Sequence, residues 1–149
     1  MSGRTSQFEA LAGPHERGQA SEALVKAEFL SRGMTVLVPE YDNEPYDLVV
    51  ETDDDFHRVQ VKTAYKNKPG TVQFETVSTR SRADRYERDG YDDRADIFAV
   101  YNPILDEVYV IPVEDAATGK MEIRFEEPAN GQRVGINWHE ELLLDVWCP

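Results

Sequence analysis

Tyr46-Asp47-Leu48-Val49-Val50-Glu51, followed after Thr52-Asp53-Asp54-Asp55 by Phe56-His57-Arg58-Val59-Gln60-Val61-Lys62-Thr63-Ala64, is the stretch on which the fold turns. Both runs are rich in β-branched and aromatic residues, and the four polar residues between them suit a hairpin loop. Pairing Glu51 with Phe56 sets Asp47 opposite Gln60. Alternation then puts Leu48, Val50, Val59 and Val61 on one face and Asp47, Gln60 and Lys62 on the other. Opposed side chains on such a pair lie about 5 Å apart, and residues two apart on one strand about 6.6 Å. At those distances Asp47, the Gln60 amide oxygen and the Val61 carbonyl can share one hard cation such as Mg²⁺, which prefers oxygen ligands. Lys62 then stands ready to orient or deprotonate a water, or to steady charge growing on a phosphate. Each of these residues taken singly also suits an ordinary solvent-facing strand; the shared register makes them a group.

Working outward, Pro14 to Arg32 reads as a helix. Proline suits its first turn, Ala20, Ala23, Leu24, Ala27 and Leu30 recur at helical spacing, and Gly33 is a natural stop. Val25 and Phe29 fall on the other side together with Glu22, so the spacing predicts one face against a sheet and another lining a site that Glu22 joins directly or through water. Met34–Val38 is a strand candidate before the hairpin, and Gln73–Val77 is expected to extend the same sheet. Arg82, Arg85 and Arg88 read as one side of a short basic helical or loop segment. Asp96–Tyr101 and Glu107–Val113 form a second hairpin around Asn102-Pro103, Met121–Phe125 is a further strand, and the Trp138–Trp147 tail packs on the body. Residues 1–13 are polar and are expected to be a flexible N-terminus; residues 14–149 read as one mixed α/β domain.

The 149 residues suffice for such a domain without metal or disulfide staples. Cys148 is the single cysteine, which excludes disulfide frameworks and Cys-rich zinc sites and fits a reducing, cytoplasmic setting. The longest apolar run, Ile97 to Tyr101, is five residues, far short of a membrane span. His15, His57 and His139 are scattered without ligand spacing, and Trp138 and Trp147 read as packing residues.

A net charge of −13 argues at first against nucleic acid. Its distribution does not. From Arg58 to Arg88 there are eight bases (Arg58, Lys62, Lys66, Lys68, Arg80, Arg82, Arg85, Arg88) and three acids, a local balance of +5 that leaves −18 on the rest. Eleven of the 16 bases are Arg. An acid-rich, Lys-poor surface suits a halophilic cytoplasm, where at ~1 M salt the screening length is about 3 Å and only contacts inside the site matter. Arg58, Lys66, Lys68, Arg80, Arg82, Arg85 and Arg88 are the candidates for phosphate contact.

With these residues in hand the chain resembles the PD-(D/E)XK nuclease superfamily, and within it the group I intron-associated (homing-type) endonucleases, including acidic members from salt-loving archaea. The likeness rests on Gly18-x-x-Ser21-Glu22, Tyr46-Asp47-Leu48-Val49-Val50 and Val59-Gln60-Val61-Lys62-Thr63-Ala64. It extends through Val36-Leu37-Val38-Pro39, Ser78-Thr79-Arg80, Phe98-Ala99-Val100-Tyr101, Val108-Tyr109-Val110-Ile111-Pro112, Asn130-Gly131 and Ile136-Asn137-Trp138. The resemblance implies a restriction-endonuclease-like core, a central mixed sheet flanked by helices, and Mg²⁺-dependent cutting of double-stranded DNA, with Mn²⁺ as an alternative ion. It implies Asp47 as main metal ligand, Lys62 as catalytic lysine, Glu22 as the helix acid, and Gln60 where most of the superfamily has Asp or Glu. One such site cuts one strand, so a double-strand break implies a homodimer or larger symmetric assembly. Two other readings stand beside it: a junction- or repair-type nuclease on the same fold, and a non-catalytic DNA-binding or acidic DNA-mimic module, which Gln60 and the net charge favour.

Overall fold

The structure is a computed structural model that describes residues 3–41, 45–82, 85–89, 94–128, 130–131 and 134–148, with the backbone alone over 78–82 and 85–89. Helix α1 spans Gly3–Glu9 and α2 Pro14–Ser31. Strands β1 (Thr35–Leu37), β2 (Leu48–Glu51) and β3 (Phe56–Thr63) follow, then β4 (Tyr65–Lys66), β5 (Thr71–Glu75), β6 (Ser78–Arg82) and β7 (Arg85–Asp89). After them come β8 (Ile97–Asn102), β9 (Glu107–Pro112), β10 (Lys120–Arg124) and a short α3 (Leu144–Trp147).

The hairpin read from the sequence forms in the expected register from Glu51, which faces Phe56, to Leu48, which faces Val59, but the ladder ends there and the expected pair of Asp47 with Gln60 does not form, because the chain slips by one residue at Asp47. Its loop is closed by Thr52 N–H donating to Asp55 O at 2.9 Å and Phe56 N–H to Asp55 Oδ1 at 2.8 Å. β1 adds antiparallel to β2, while β3 pairs in parallel with β8, which turns back into β9. The result is a mixed five-stranded sheet in the order β1-β2-β3-β8-β9. β8 is buried throughout, as a continuous apolar run in a central strand should be. Ile97, Ala99 and Tyr101 face one side and Phe98 and Val100 the other.

All three helices contribute to the first side, where Phe8, Val25, Phe29 and Leu144 pack on Leu48, Val50, Val59 and Val61. The second side is covered by sheet rather than helix. Gln73–Val77 does not extend the main sheet as expected; Thr71–Glu75 instead centres a three-stranded sheet, β10-β5-β4, whose Val72, Phe74, Met121 and Ile123 pack on Phe98, Val100, Tyr109 and Ile111.

Three further expectations are corrected. The sheet-facing row of α2 is Ser21, Val25 and Phe29, all fully buried, whereas Leu30 is half exposed and Ala23 and Ala27 lie outside. Small alanines recur at helical spacing as readily on a solvated face, and the larger side chains decide which face is sunk. Gly3–Glu9, assigned to a flexible terminus, is helical, with Phe8 buried edge-on against Tyr101 at 5.2 Å between ring centroids. The basic segment is neither helix nor loop but an antiparallel two-stranded ladder, in which Arg82 faces Arg85 and Arg88 faces Thr79. At its C-terminus α2 stops as expected, at Gly33 in the left-handed region (φ +79°), which only glycine adopts without strain.

Candidate active site

β2 begins at Leu48, so beyond Val59 strand β3 runs on without its antiparallel neighbour. Asp47 stands at that point of divergence. Its N–H donates to Val59 O at 2.8 Å, one residue out of step with the ladder in which Leu48 faces Val59. The slip brings the side chain, rather than the main-chain carbonyl, to the next donor on β3: Val61 N–H donates to Asp47 Oδ2 at 2.9 Å. The carboxylate therefore completes the edge of the sheet, and its orientation is dictated by backbone on both sides.

The divergence opens a cleft of about 320 Å³ between β3 and the first turns of α2, lined by Pro14, His15, Gly18, Gln19, Glu22, Asp47, Gln60, Val61 and Thr63. Glu22 is half-buried on the helix wall, next in sequence to the buried Ser21. Ser21 Oγ and Thr63 Oγ1 are hydrogen-bonded at 2.6 Å across the helix–sheet junction. Gln60 turns Nε2 toward Val61 O at 3.5 Å, and a half-turn of the terminal amide presents Oε1 there instead.

Burial pushes the Asp47 carboxyl above the usual carboxylate range, opposed by the Val61 N–H bond and by Lys62. Burial likewise lowers the Lys62 ammonium, opposed by Asp47 and Glu75. Two opposite charges thus share a partly desolvated place in which neither is at ease alone. The oxygen donors of the cleft, two carboxylates, one amide and the Val61 carbonyl, match the ligand preference of a hard divalent cation. Among the described residues no group of three or more His, Cys, Asp and Glu side chains comes together to hold a metal, so such an ion would depend on the amide and the carbonyl as well as the two acids.

A model of the PD-(D/E)XK endonucleases matches residues 13–145. The chain belongs to the PD-(D/E)XK endonuclease family. It is 39% identical over 108 residues to Protein 5.3 of Escherichia phage T7, spanning 71% of this chain and 85% of that protein. In structure it is similar to the bacterial homing endonuclease I-Ssp6803I, with a TM-score of 0.68 and 27% identity over 82% of this chain and 84% of that one. The mixed sheet with helix on its flank is accordingly the restriction-endonuclease-like fold of this family, whose nucleases typically use divalent metals.

Of the residues singled out from the sequence, Glu22, Asp47, Gln60 and Val61 line one cleft, and Lys62 lies beside it, coupled to Asp47. The basic candidates are dispersed. Arg58 is clamped by Asp96, Nε to Oδ2 and Nη2 to Oδ1 both at 3.1 Å. Lys68 pairs with Glu122 at 3.3 Å on the second sheet, Lys66 is exposed on β4, and Arg80, Arg82, Arg85 and Arg88 lie on the β6–β7 ladder, their side chains outside the described residues. Four residues at or near the cleft have no functional role in the sequence reading. Glu75, one of the three acids in the basic stretch, reaches the field of Lys62 because β5 folds over the sheet. Ser21 and Thr63 carried no signal beyond their adjacency to Glu22 and Lys62. His15, one of the scattered histidines without ligand spacing, is exposed at the cleft wall.

Proposed function

We propose that this PD-(D/E)XK endonuclease is a Mg²⁺-dependent enzyme of the homing type that hydrolyses phosphodiester bonds of double-stranded DNA, acting as a homodimer or larger symmetric assembly. Mn²⁺ is the alternative ion. The observation that carries the reading is that Asp47 and Glu22 line one cleft with Gln60 and Val61, where β3 runs beyond its ladder with β2, and that Asp47 is fixed there by the Val61 N–H. Asp47, Glu22, the Gln60 amide oxygen and the Val61 carbonyl would hold the ion, which supplies charge neutralisation at the phosphate and a more acidic water. Lys62 orients the attacking water and steadies the charge that grows on the phosphate oxygens. Water attacks phosphorus in line, the bond from phosphorus to the 3′ oxygen breaks, and the products are a 5′ phosphate and a 3′ hydroxyl.

Because the cleft carries a neutral amide where an acid would bind more tightly, ion affinity should be modest. Nicking of plasmid DNA in Mg²⁺ and high salt is the test. Asp47→Ala and Lys62→Ala should each lose at least about a hundredfold in rate while retaining the far-ultraviolet circular dichroism of the parent. Full activity in either variant would remove this site. If no DNA is cut and calorimetry detects no Mg²⁺ or Mn²⁺, the chain is a binding module on a nuclease fold; preferential cutting of branched DNA would mark a junction or repair enzyme.

A further inference from the structure

We infer that the hydroxyl pair formed by the buried Ser21 and the half-buried Thr63 is a positioning device: it sets the distance between the helix wall and the strand wall of the cleft, and through it the cleft's affinity for a divalent cation. The inference rests on the proposed site and goes beyond it, because neither hydroxyl is among the ligands. The cleft is split between two elements. α2 supplies Glu22, and β3 supplies Gln60 and Val61, with Lys62 beside them. Ser21 immediately precedes Glu22 and Thr63 immediately follows Lys62, so the one bond joining them, 2.6 Å long, ties together the backbone on either side of the cleft.

Packing alone does not ask for this bond. Ser21 heads the row Ser21, Val25 and Phe29, whose other members are fully buried and apolar, and an alanine would fill the same place. Apolar contacts are non-directional and hold over a range of helix positions. A fully buried hydroxyl is different, since it must keep a partner within hydrogen-bond reach or forfeit its solvation for nothing. The bond to Thr63 is kept only while the helix holds one height and one rotation over the strand. A small divalent ion imposes a matching demand, because its oxygens must lie near 2.1 Å in fixed directions. Displacing Glu22 by a few tenths of an ångström relative to Asp47 therefore weakens binding although no ligand is removed. Thr63 lines the cleft as well, so the pair lies where such a displacement is felt.

The test is calorimetric titration of the DNA-free protein with Mn²⁺, together with its melting temperature. Ser21→Ala and Thr63→Val should each weaken Mn²⁺ binding by about tenfold or more, and the double variant should lose little more than either single one, as members of one unit do. Thr63→Ser, which keeps the hydroxyl, should bind like the parent. Val25→Ala, a cavity in the same helix–sheet interface, should lower the melting temperature and leave Mn²⁺ affinity in place. Parent-like affinity in Ser21→Ala and Thr63→Val, or an equal loss in Val25→Ala, would overturn the inference and leave the pair a packing feature. If the parent itself takes up no Mn²⁺, or Asp47→Asn leaves uptake intact, the proposed site fails and the positioning role with it.

Discussion

Asp47 shows how one side chain can serve both the fold and the chemistry. Its carboxylate takes the Val61 N–H that the diverging main chain no longer reaches, and in doing so it is drawn out of water. Even with that bond and Lys62 nearby, the balance disfavours the charged form, since its pKa is raised. Asparagine keeps the shape and the acceptor for Val61 and removes the buried charge. Asp47→Asn relieves the buried carboxylate but takes the counter-charge from Lys62, so the variant should stay within about 1 kcal/mol of the parent at neutral pH in urea denaturation, while nicking is lost. A clear destabilisation would show that the carboxylate is required for folding.

At the level of elements, the parallel pair β3–β8 holds the cleft strand in place, and its entrance is fastened by Arg58 and Asp96. Arg58 N–H donates to Asp96 Oδ2 at 2.8 Å, Asp96 N–H returns a bond to Arg58 O at 2.9 Å, and the guanidinium forks onto the same carboxylate. The Arg58 guanidinium, chiefly, holds the Asp96 carboxyl below its usual range. A depressed acid contributes stability that is present above its unfolded pKa of 3.8 and is lost as pH falls through the folded value. Asp96→Asn should cost about 0.5–1 kcal/mol at pH 6, discounted for the partial exposure of the pair, and the gap to the parent should close in melts taken well below pH 4. This clamp also explains why Arg58, a fair candidate for phosphate contact by charge, is engaged within the fold instead.

At the scale of the molecule, the core of the described residues is built of three layers: helices, the five-stranded sheet, and the smaller sheet that brings Glu75 toward Lys62. Phe74 and Phe98, both fully buried, join the two sheets edge to face with centroids 5.4 Å apart. Phe74→Ala should cost about 3–5 kcal/mol, whereas Phe56→Ser, at a side chain 57% exposed, should be nearly neutral in the same denaturation series. The net charge of −13 acts on the molecule as a whole, through self-repulsion that salt screens. Raising KCl from about 0.05 M to about 1 M should lift the melting temperature by roughly 5 °C or more; a flat response would mean that the acids are already compensated within the fold.

The hairpin, its register and the second hairpin were legible in the amino-acid order, because strand alternation and turn chemistry are local properties that neighbours in sequence enforce. The place of Asp47 was legible only in part: the register brings it near Gln60 and Val61, but the ladder ends at Leu48 and Val59, and the slip that turns its carboxylate onto the Val61 N–H carries no mark in the sequence. Which face of α2 is sunk was not legible, because alanine spacing is alike on wet and dry faces and only the sheet chooses between them. Nor was the place of Thr71–Glu75: pairing partners for a strand are chosen by long-range packing, and the chain carries no local mark that this one leaves the main sheet to cover its far side. The Ser21–Thr63 bond and the approach of Glu75 to Lys62 belong to the same class. They join residues 42 and 13 positions apart, and only the docking of helix on sheet and sheet on sheet brings them within reach.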